Sequence, residues 1–225
     1  VDRQVKSLLP ALVSNAVFLG ILLVSAGTAR YWPAWVYLGT SLLMTVLTRL
    51  VLRRDPGLEQ ERARPGPGAK DWDKRLLGLG LLLTIALLVV AGLDAGRLHL
   101  PPRLTWPWAL AGLFLSLAGM GVFLLALREN RFFSAVVRIQ RERGHAVCST
   151  GPYRVVRHPG NAGMILGTLG LPLLLLSAWS AIPALLSVAL MVARTRREDA
   201  ALAAELAGYR EYQRTTRHRL VPGLW

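Results

Sequence analysis

Cysteine is almost missing from this 225-residue chain. Cys148 stands alone, which excludes an intrachain disulfide and any metal site built only from thiolates, and nothing requires an oxidising compartment. Lysine is nearly as scarce: Lys6, Lys70 and Lys74 are the only ones among 27 basic residues, an arginine bias that hints at a GC-rich genome. Acidic residues are few, 13 against those 27, leaving a formal charge of +14. That charge would suit nucleic acid if it formed a stripe on a soluble domain. Here it falls between long apolar runs, so nucleic acid is not an expected partner. Aromatic and β-branched strand signals are also thin, which argues against a sheet protein.

What is present is apolar sequence: 53% hydrophobic residues and a mean hydropathy of +0.40, too much for an ordinary soluble domain. The chain reads as an all-α, polytopic membrane bundle. About 20 residues cross a bilayer as helix, and four runs are long enough: residues 8–29, 35–52, 76–93 and 110–127. The first is longer than a signal-peptide core and is expected to be a retained span. A fifth region, 162–193, is interrupted by Pro172, Ser177-Ala178-Trp179-Ser180 and Pro183, which predicts two short helices joined as a hairpin. The total is six spans, with five as the fallback.

Charge tests that count, because Lys and Arg collect in short cytoplasmic loops. With six spans, 24 of the 27 basic residues share one side, and only Arg30, Arg97 and Arg103 lie on the other. Both termini are then expected in the cytoplasm, with the chain in a bacterial inner membrane. Five spans would spoil the asymmetry. The segment 55–73, with Pro56 and Pro65-Gly66-Pro67-Gly68, reads as a flexible connector without a catalytic role. Trp32, Trp35, Trp106 and Trp108 sit at span ends and read as interfacial anchors. Gly78-Leu79-Gly80-Leu81 reads as small residues suited to close helix packing. Residues 198–216 read as a cytoplasmic amphipathic helix, from Leu202, Leu206 and Tyr209, with a break expected at Gly208. The expected division is a four-span bundle over 1–127 and a catalytic region over 128–225.

The densest ionisable cluster flanks the hairpin. Gly151-Pro152-Tyr153-Arg154-Val155-Val156-Arg157-His158-Pro159 precedes it, and Arg194-Thr195-Arg196-Arg197-Glu198-Asp199 follows it. A hairpin returns both stretches to the same membrane side, so they can share one site. Pro159 suits the first turn of a helix, placing His158 near the positive end of its dipole. Free N–H groups there, beside Arg157, would seat a carboxylate. Arg194 and Glu198 lie four apart on one helical face, where they can pair. As residues alone, they read first as an ordinary interfacial ion pair, or as an arginine reaching for headgroups, rather than as a functional pair, because arginines at span ends are common. His145, Cys148, His158 and His218 lack compact ligand spacing apart from His145-x-x-Cys148, so no metal is expected. Cys148 reads as a packing residue.

The Gly-Pro-Tyr and Arg-His-Pro elements, the run from Arg194 to Leu202, and the ending Tyr209-x-x-Tyr212 with Arg219-Leu220-Val221-Pro222-Gly223-Leu224-Trp225 resemble the isoprenylcysteine carboxyl methyltransferase family. The likeness covers residues 130–225. It implies an integral membrane methyltransferase that uses S-adenosylmethionine. By position, the family's cofactor-contacting glutamine matches Gln140, and its cofactor-lining backbone matches His145-Ala146-Val147-Cys148. Tyr153 matches the tyrosine of the Gly-x-Tyr element, and His158-Pro159 the His-Pro. Arg194 resembles the arginine that orients the substrate carboxylate. Glu198 and Asp199 resemble an acid pair, Glu198 being the member that contacts the cofactor. The family's usual His-Pro-x-Tyr is here His158-Pro159-Gly160-Asn161, so an aromatic or hydroxyl partner is replaced by an amide. Asp199 is one methylene shorter than the usual glutamate.

The expected reaction is methyl transfer to a lipid-like or membrane-associated acceptor at the cytoplasmic face. A carboxylate acceptor, ionised at neutral pH, needs no base. An amine or phenol acceptor would draw on Glu198, Asp199 or His158. Two other readings compete. One is an NADPH-dependent sterol or lipid double-bond reductase, since such enzymes resemble the same hairpin. Their Asn-Tyr-x-Gly-Asp-like stretch is unmatched, because Asn161 is followed by Ala162-Gly163-Met164. The other is a noncatalytic membrane binding protein, for which Asn161 is the best argument.

Overall fold

The computed structural model describes residues 2–225, with side chains from residue 9 onward. The expectations that rest on Arg3 and Lys6 lie outside the described side chains. Eight α-helices follow one another among the described residues: α1 (Asp2–Ala26), α2 (Trp32–Leu52), α3 (Pro56–Ala63), α4 (Asp71–Leu93), α5 (Trp106–Glu129), α6 (Pro159–Leu174), α7 (Ala181–Glu205) and α8 (Tyr209–Thr215). No β-strand forms among them; one isolated bridge joins Arg103 and Ser177. Four segments are long and apolar enough to cross a bilayer: Leu9–Ala26, Trp32–Leu52, Asp71–Leu98 and Trp106–Glu129. This is a helical membrane protein. The indoles of Trp32, Trp35, Trp106 and Trp108 are exposed at helix starts, as interfacial anchors are.

The chain divides into two compact units, each drawn from three separated stretches. The first comprises residues 1–47, 81–117 and 167–187. Leu22, Leu87, Leu88 and Leu175 form its fully buried centre, with Tyr31 and Ala184 against them. Helices in lipid gain little from burying apolar groups and associate through close backbone approach. That approach occurs at Gly112 and Gly170. A Cβ on Gly112 would fall 2.2 Å from the backbone nitrogen of Leu174, and one on Gly170 would fall 2.6 Å from the carbonyl oxygen of Gly112. The expectation for Gly78 and Gly80 fails. Gly78 faces open space, and a Cβ on Gly80 would make only an ordinary 3.7 Å contact with Leu190 in the second unit. The turn between α6 and α7 is closed by Ser177 N–H on the Pro172 carbonyl (2.9 Å) and Ser180 Oγ on the Ser177 carbonyl (2.9 Å). It is anchored by the Ser177 hydroxyl donating to Asp94 (2.7 Å). The expected helical hairpin is therefore present.

The second unit comprises residues 48–80, 118–166 and 188–225. Here the connector expectation is overturned. Residues 55–73 contain α3, started by Pro56 and capped by the Asp55 carboxylate, which accepts from Leu58 N–H (3.0 Å). A side-chain cap with Pro at the first position is a strong helix start. Glu61, buried on α3, receives two hydrogen bonds from Arg138 (2.8 and 2.7 Å), which tie the supposed loop into the unit. The amphipathic helix expected from Glu198 is not separate either: α7 runs unbroken from Ala181 to Glu205. The break comes at Gly208, whose φ of 79° belongs to the left-handed region open to glycine, and α8 follows.

Candidate functional site

Helix α7 supplies the backbone of the site. Met191, Arg194, Glu198 and Leu202 recur at helical spacing on one face, and all four line a cavity of about 250 Å3 within the second unit. The rest of the lining includes Phe132, Phe133 and the non-helical stretch His145–Cys148 from the α5–α6 connection, with His158 just before α6 and Gly160 and Asn161 in its first turn; Gly160 is where the Phe133 ring packs, since a Cβ there would fall 2.4 Å from it. Tyr153, Tyr209 and Tyr212 close it, packed around the buried Ala126. The His158 and Arg194–Asp199 neighbourhoods thus meet, as the hairpin requires.

Beside the cavity lies a buried clasp centred on Asp199. Its carboxylate accepts from Arg157 Nε (2.8 Å) and Nη2 (3.0 Å), Arg219 Nε (2.9 Å), the Tyr209 hydroxyl (2.9 Å) and the Gln213 amide (3.1 Å), and His158 Nε2 lies 3.2 Å away. Burial alone would raise the carboxyl's pKa, but the hydrogen bonds from His158, Arg157 and Arg219 outweigh it and hold the group far below the usual carboxylate range. Arg157 also caps the carbonyls of Thr216 (2.8 Å) and Arg217 (2.7 Å), and the N–H groups of Arg157 and His158 donate to the carbonyls of His218 and Arg219. The carboxylate seat expected beside Arg157 is consequently filled by the chain's own Asp199 and its C-terminal tail. Asp199 does not line the cavity, and its lone pairs are committed.

Glu198 is placed differently. Its side chain faces the cavity and is a quarter exposed. Oε2 accepts from the Asn161 amide (3.0 Å), whose nitrogen also reaches Thr195 Oγ1 (3.1 Å), and lies 3.6 Å from Arg194 Nη1. The amide standing where the related pattern has tyrosine therefore orients the carboxylate that faces the cavity. Arg194 lines the cavity too, but its Nε and Nη2 are held by Asp73 (2.7 and 3.4 Å), which also accepts from Val137 N–H (2.7 Å).

Of the remaining expected residues, Gln140 and Pro159 are fully buried outside the cavity lining. The Gln140 amide nitrogen donates to the Phe132 carbonyl (2.7 Å) and its oxygen takes a bond from Arg143, so it fastens the loop. His145 stacks on Phe132 at 4.7 Å and accepts from Gln140 N–H at Nδ1 (3.2 Å). Burial, with Arg138 and Arg143 nearby, pulls its pKa down to about 4. Burial pushes the Cys148 thiol up, in keeping with a packing residue.

Sequence reasoning missed Asp73, Arg62, Phe132 and Phe133. Arg62 and the two phenylalanines line the cavity. Asp73 pairs with Arg194 across 121 positions, and no local periodicity reports such a pairing. The available signal was a carboxylate at the mouth of an apolar run, an expensive place for an unpaired charge.

Comparison with known proteins adds one match. Residues 108–204 match the model of the isoprenylcysteine carboxyl methyltransferase (ICMT) family. That stretch holds the hairpin, most of the cavity walls and both Arg194 and Glu198. No curated protein sequence matches the chain.

Proposed function

From an ICMT-family region spanning residues 108–204, we propose that the chain is an S-adenosylmethionine-dependent methyltransferase acting on a membrane-associated acceptor at the cytoplasmic face. One observation carries this reading: Glu198, oriented by Asn161, turns a carboxylate toward a cavity walled by aromatic rings and non-helical backbone. These residues fit the nucleoside donor. A carboxylate suits a ribose diol, ring faces suit a purine, and the volume lies close to the roughly 300–1,000 Å3 of small-molecule sites. The basic residues support the cytoplasmic assignment. Arg49 through Arg75, Arg128 through Arg157 and Arg194 through Arg219 all belong to the cavity-bearing unit, against Arg30, Arg97 and Arg103 among the described side chains of the other.

S-adenosylmethionine, when bound, supplies a methyl group already activated on a sulfonium. The protein's contribution is placement and dryness, which dominate when two bound reactants become effectively unimolecular. Glu198 and Asn161 fix the donor end. Arg194, anchored on Asp73, acts as a positioning residue that holds Glu198 against the cavity. Leu77, Phe123, Met164, Met191 and Leu206 exclude water around the reacting atoms. For a carboxylate acceptor, ionised at neutral pH, the chain's residues would have no proton to remove, and placement alone would be asked of them.

Glu198→Ala is expected to weaken S-adenosylhomocysteine binding by at least about tenfold in calorimetric titration, the usual consequence of losing hydrogen bonds to a charged group. Unchanged affinity would remove Glu198 from the donor site.

A further inference from the structure

A second cavity, of about 320 Å3, lies wholly within the first unit, and none of its residues lines the cavity described above. It is framed by the loop from α1 to α2, by the π-helical turn Asp94–Leu98 that follows α4, and by the stretch leading into α5. These are span ends, where Trp32 marks the headgroup level. The pocket holds charges of both signs. Asp94 is only 4% exposed; its carboxylate accepts from the Ser177 hydroxyl (2.7 Å) and Leu100 N–H (3.2 Å) and has no cationic partner among the described residues. Arg30 and Arg103 line the same pocket and are exposed. Among the described residues the Arg30 guanidinium has no partner, and Arg103 uses only its Nε, on the His99 carbonyl (3.2 Å). A buried carboxylate gains much from a cation, yet neither arginine closes on it. The fold holds the acid back: His99 N–H closes the turn on the Asp94 carbonyl (2.7 Å), and a Cβ on Gly96 would fall 2.5 Å from Ala26 Cα, so the turn is pressed onto α1. Single π-helical turns of this kind recur at functional sites.

We propose that this pocket is a noncatalytic binding site for an ammonium–phosphate zwitterion, with the ammonium on Asp94 and the phosphate on Arg30 and Arg103. Charge-assisted hydrogen bonds at both ends then neutralise groups that the chain leaves unmatched. An anion alone would share the pocket with a carboxylate, and a cation alone would meet two arginines. Tyr31 and Trp32 also line the space, and aromatic faces favour an ammonium. Two guanidinium groups suit phosphate, whose oxygens accept several bonds. An aminophospholipid headgroup and free phosphoethanolamine share this chemistry. The assignment is independent of the methyltransferase reading, because it uses other residues and requires no reaction.

The test uses the purified full chain in a nonionic detergent and reads thermal stabilisation by phosphoethanolamine, with ethanolamine and inorganic phosphate as one-ended probes. A second arm adds dioleoylphosphatidylethanolamine to the micelles, with dioleoylphosphatidylglycerol as its anionic counterpart. Asp94→Asn keeps an acceptor for Leu100 N–H and removes the negative charge. Arg103→Gln, at an exposed position, removes a positive one and keeps the test decisive if Asp94→Asn fails to fold. Arg154→Gln, at an exposed arginine of the second unit, removes the same charge elsewhere. A zwitterion is expected to stabilise the wild type and Arg154→Gln saturably, and to be needed at concentrations at least about tenfold higher in Asp94→Asn and Arg103→Gln, the usual loss for a hydrogen bond to a charged group. Saturation at lower concentration by the ethanolamine lipid than by phosphoethanolamine identifies the headgroup as the source, and the reverse order identifies the free solute. No response to either zwitterion, one-ended probes or the glycerol lipid acting as strongly, a folded Asp94→Asn or Arg103→Gln responding like the wild type, or equal loss in Arg154→Gln would each overturn the proposal.

Discussion

Glu198 and Asp199 are neighbours in sequence with opposite assignments in space. Glu198 faces the cavity; Asp199 is turned away into a clasp of two arginines, a tyrosine and a glutamine. Removing one member of a buried ion pair strands the rest, so Asp199→Ala is expected to cost about 3–5 kcal/mol of stability. Denaturant or thermal unfolding checks this, with donor affinity judged only on the folded fraction. His145 gives a pH prediction of definite sign. Its folded pKa of about 4 lies below the ordinary value of about 6.5, so the unfolded chain binds more protons between those values. Stability is expected to fall as pH drops from 6.5 toward 4, and His145→Gln is expected to flatten that slope in unfolding curves recorded across the window. The residues adjoining the hairpin were legible because the whole cluster sits within a few positions of two helix ends. Asp73, Glu61 and Arg62 were not, since their partners lie 71 to 121 positions away, and proline-rich sequence around them reads locally as a turn.

At the level of helices, the interrupting residues did most of the predicting. Pro172 and the Ser177–Ser180 turn mark the hairpin, and Gly208 marks the end of the α7 extension. What was hidden is that α7 continues without a break into the site, carrying Met191, Arg194, Glu198 and Leu202 on one stripe. Its apolar and charged halves look like separate elements when hydropathy is the guide, although Ala, Leu and Glu through residue 205 are all strong helix formers. Helix packing gives a sharp contrast between two glycines of α5. A Cβ at Gly112 collides with the backbone of α6, whereas one at Gly121 meets nothing within 4 Å. Gly112→Ala is therefore expected to lower the thermal midpoint in detergent, and Gly121→Ala to leave it unchanged or raise it slightly, by up to about 1 kcal/mol of helix propensity.

Taken whole, the molecule assigns its two units different sequence characters. One is built on apolar helices packed through Leu22, Leu87, Leu88 and Leu175. The other gathers most of the ion pairs, the aromatic cluster and the cavity. Hydropathy alone was enough to read a helical membrane protein, because apolar length is a property of each segment by itself. The cavity depends on three stretches separated by dozens of residues, which only the folded chain brings together. The most direct test is calorimetric titration of the purified chain with S-adenosylhomocysteine, in parallel with NADPH. Saturable binding of S-adenosylhomocysteine, weakened at least about tenfold by Glu198→Ala, with no NADPH binding, is the predicted result. A folded wild-type protein that binds NADPH instead, or neither ligand at saturating concentration, would contradict it.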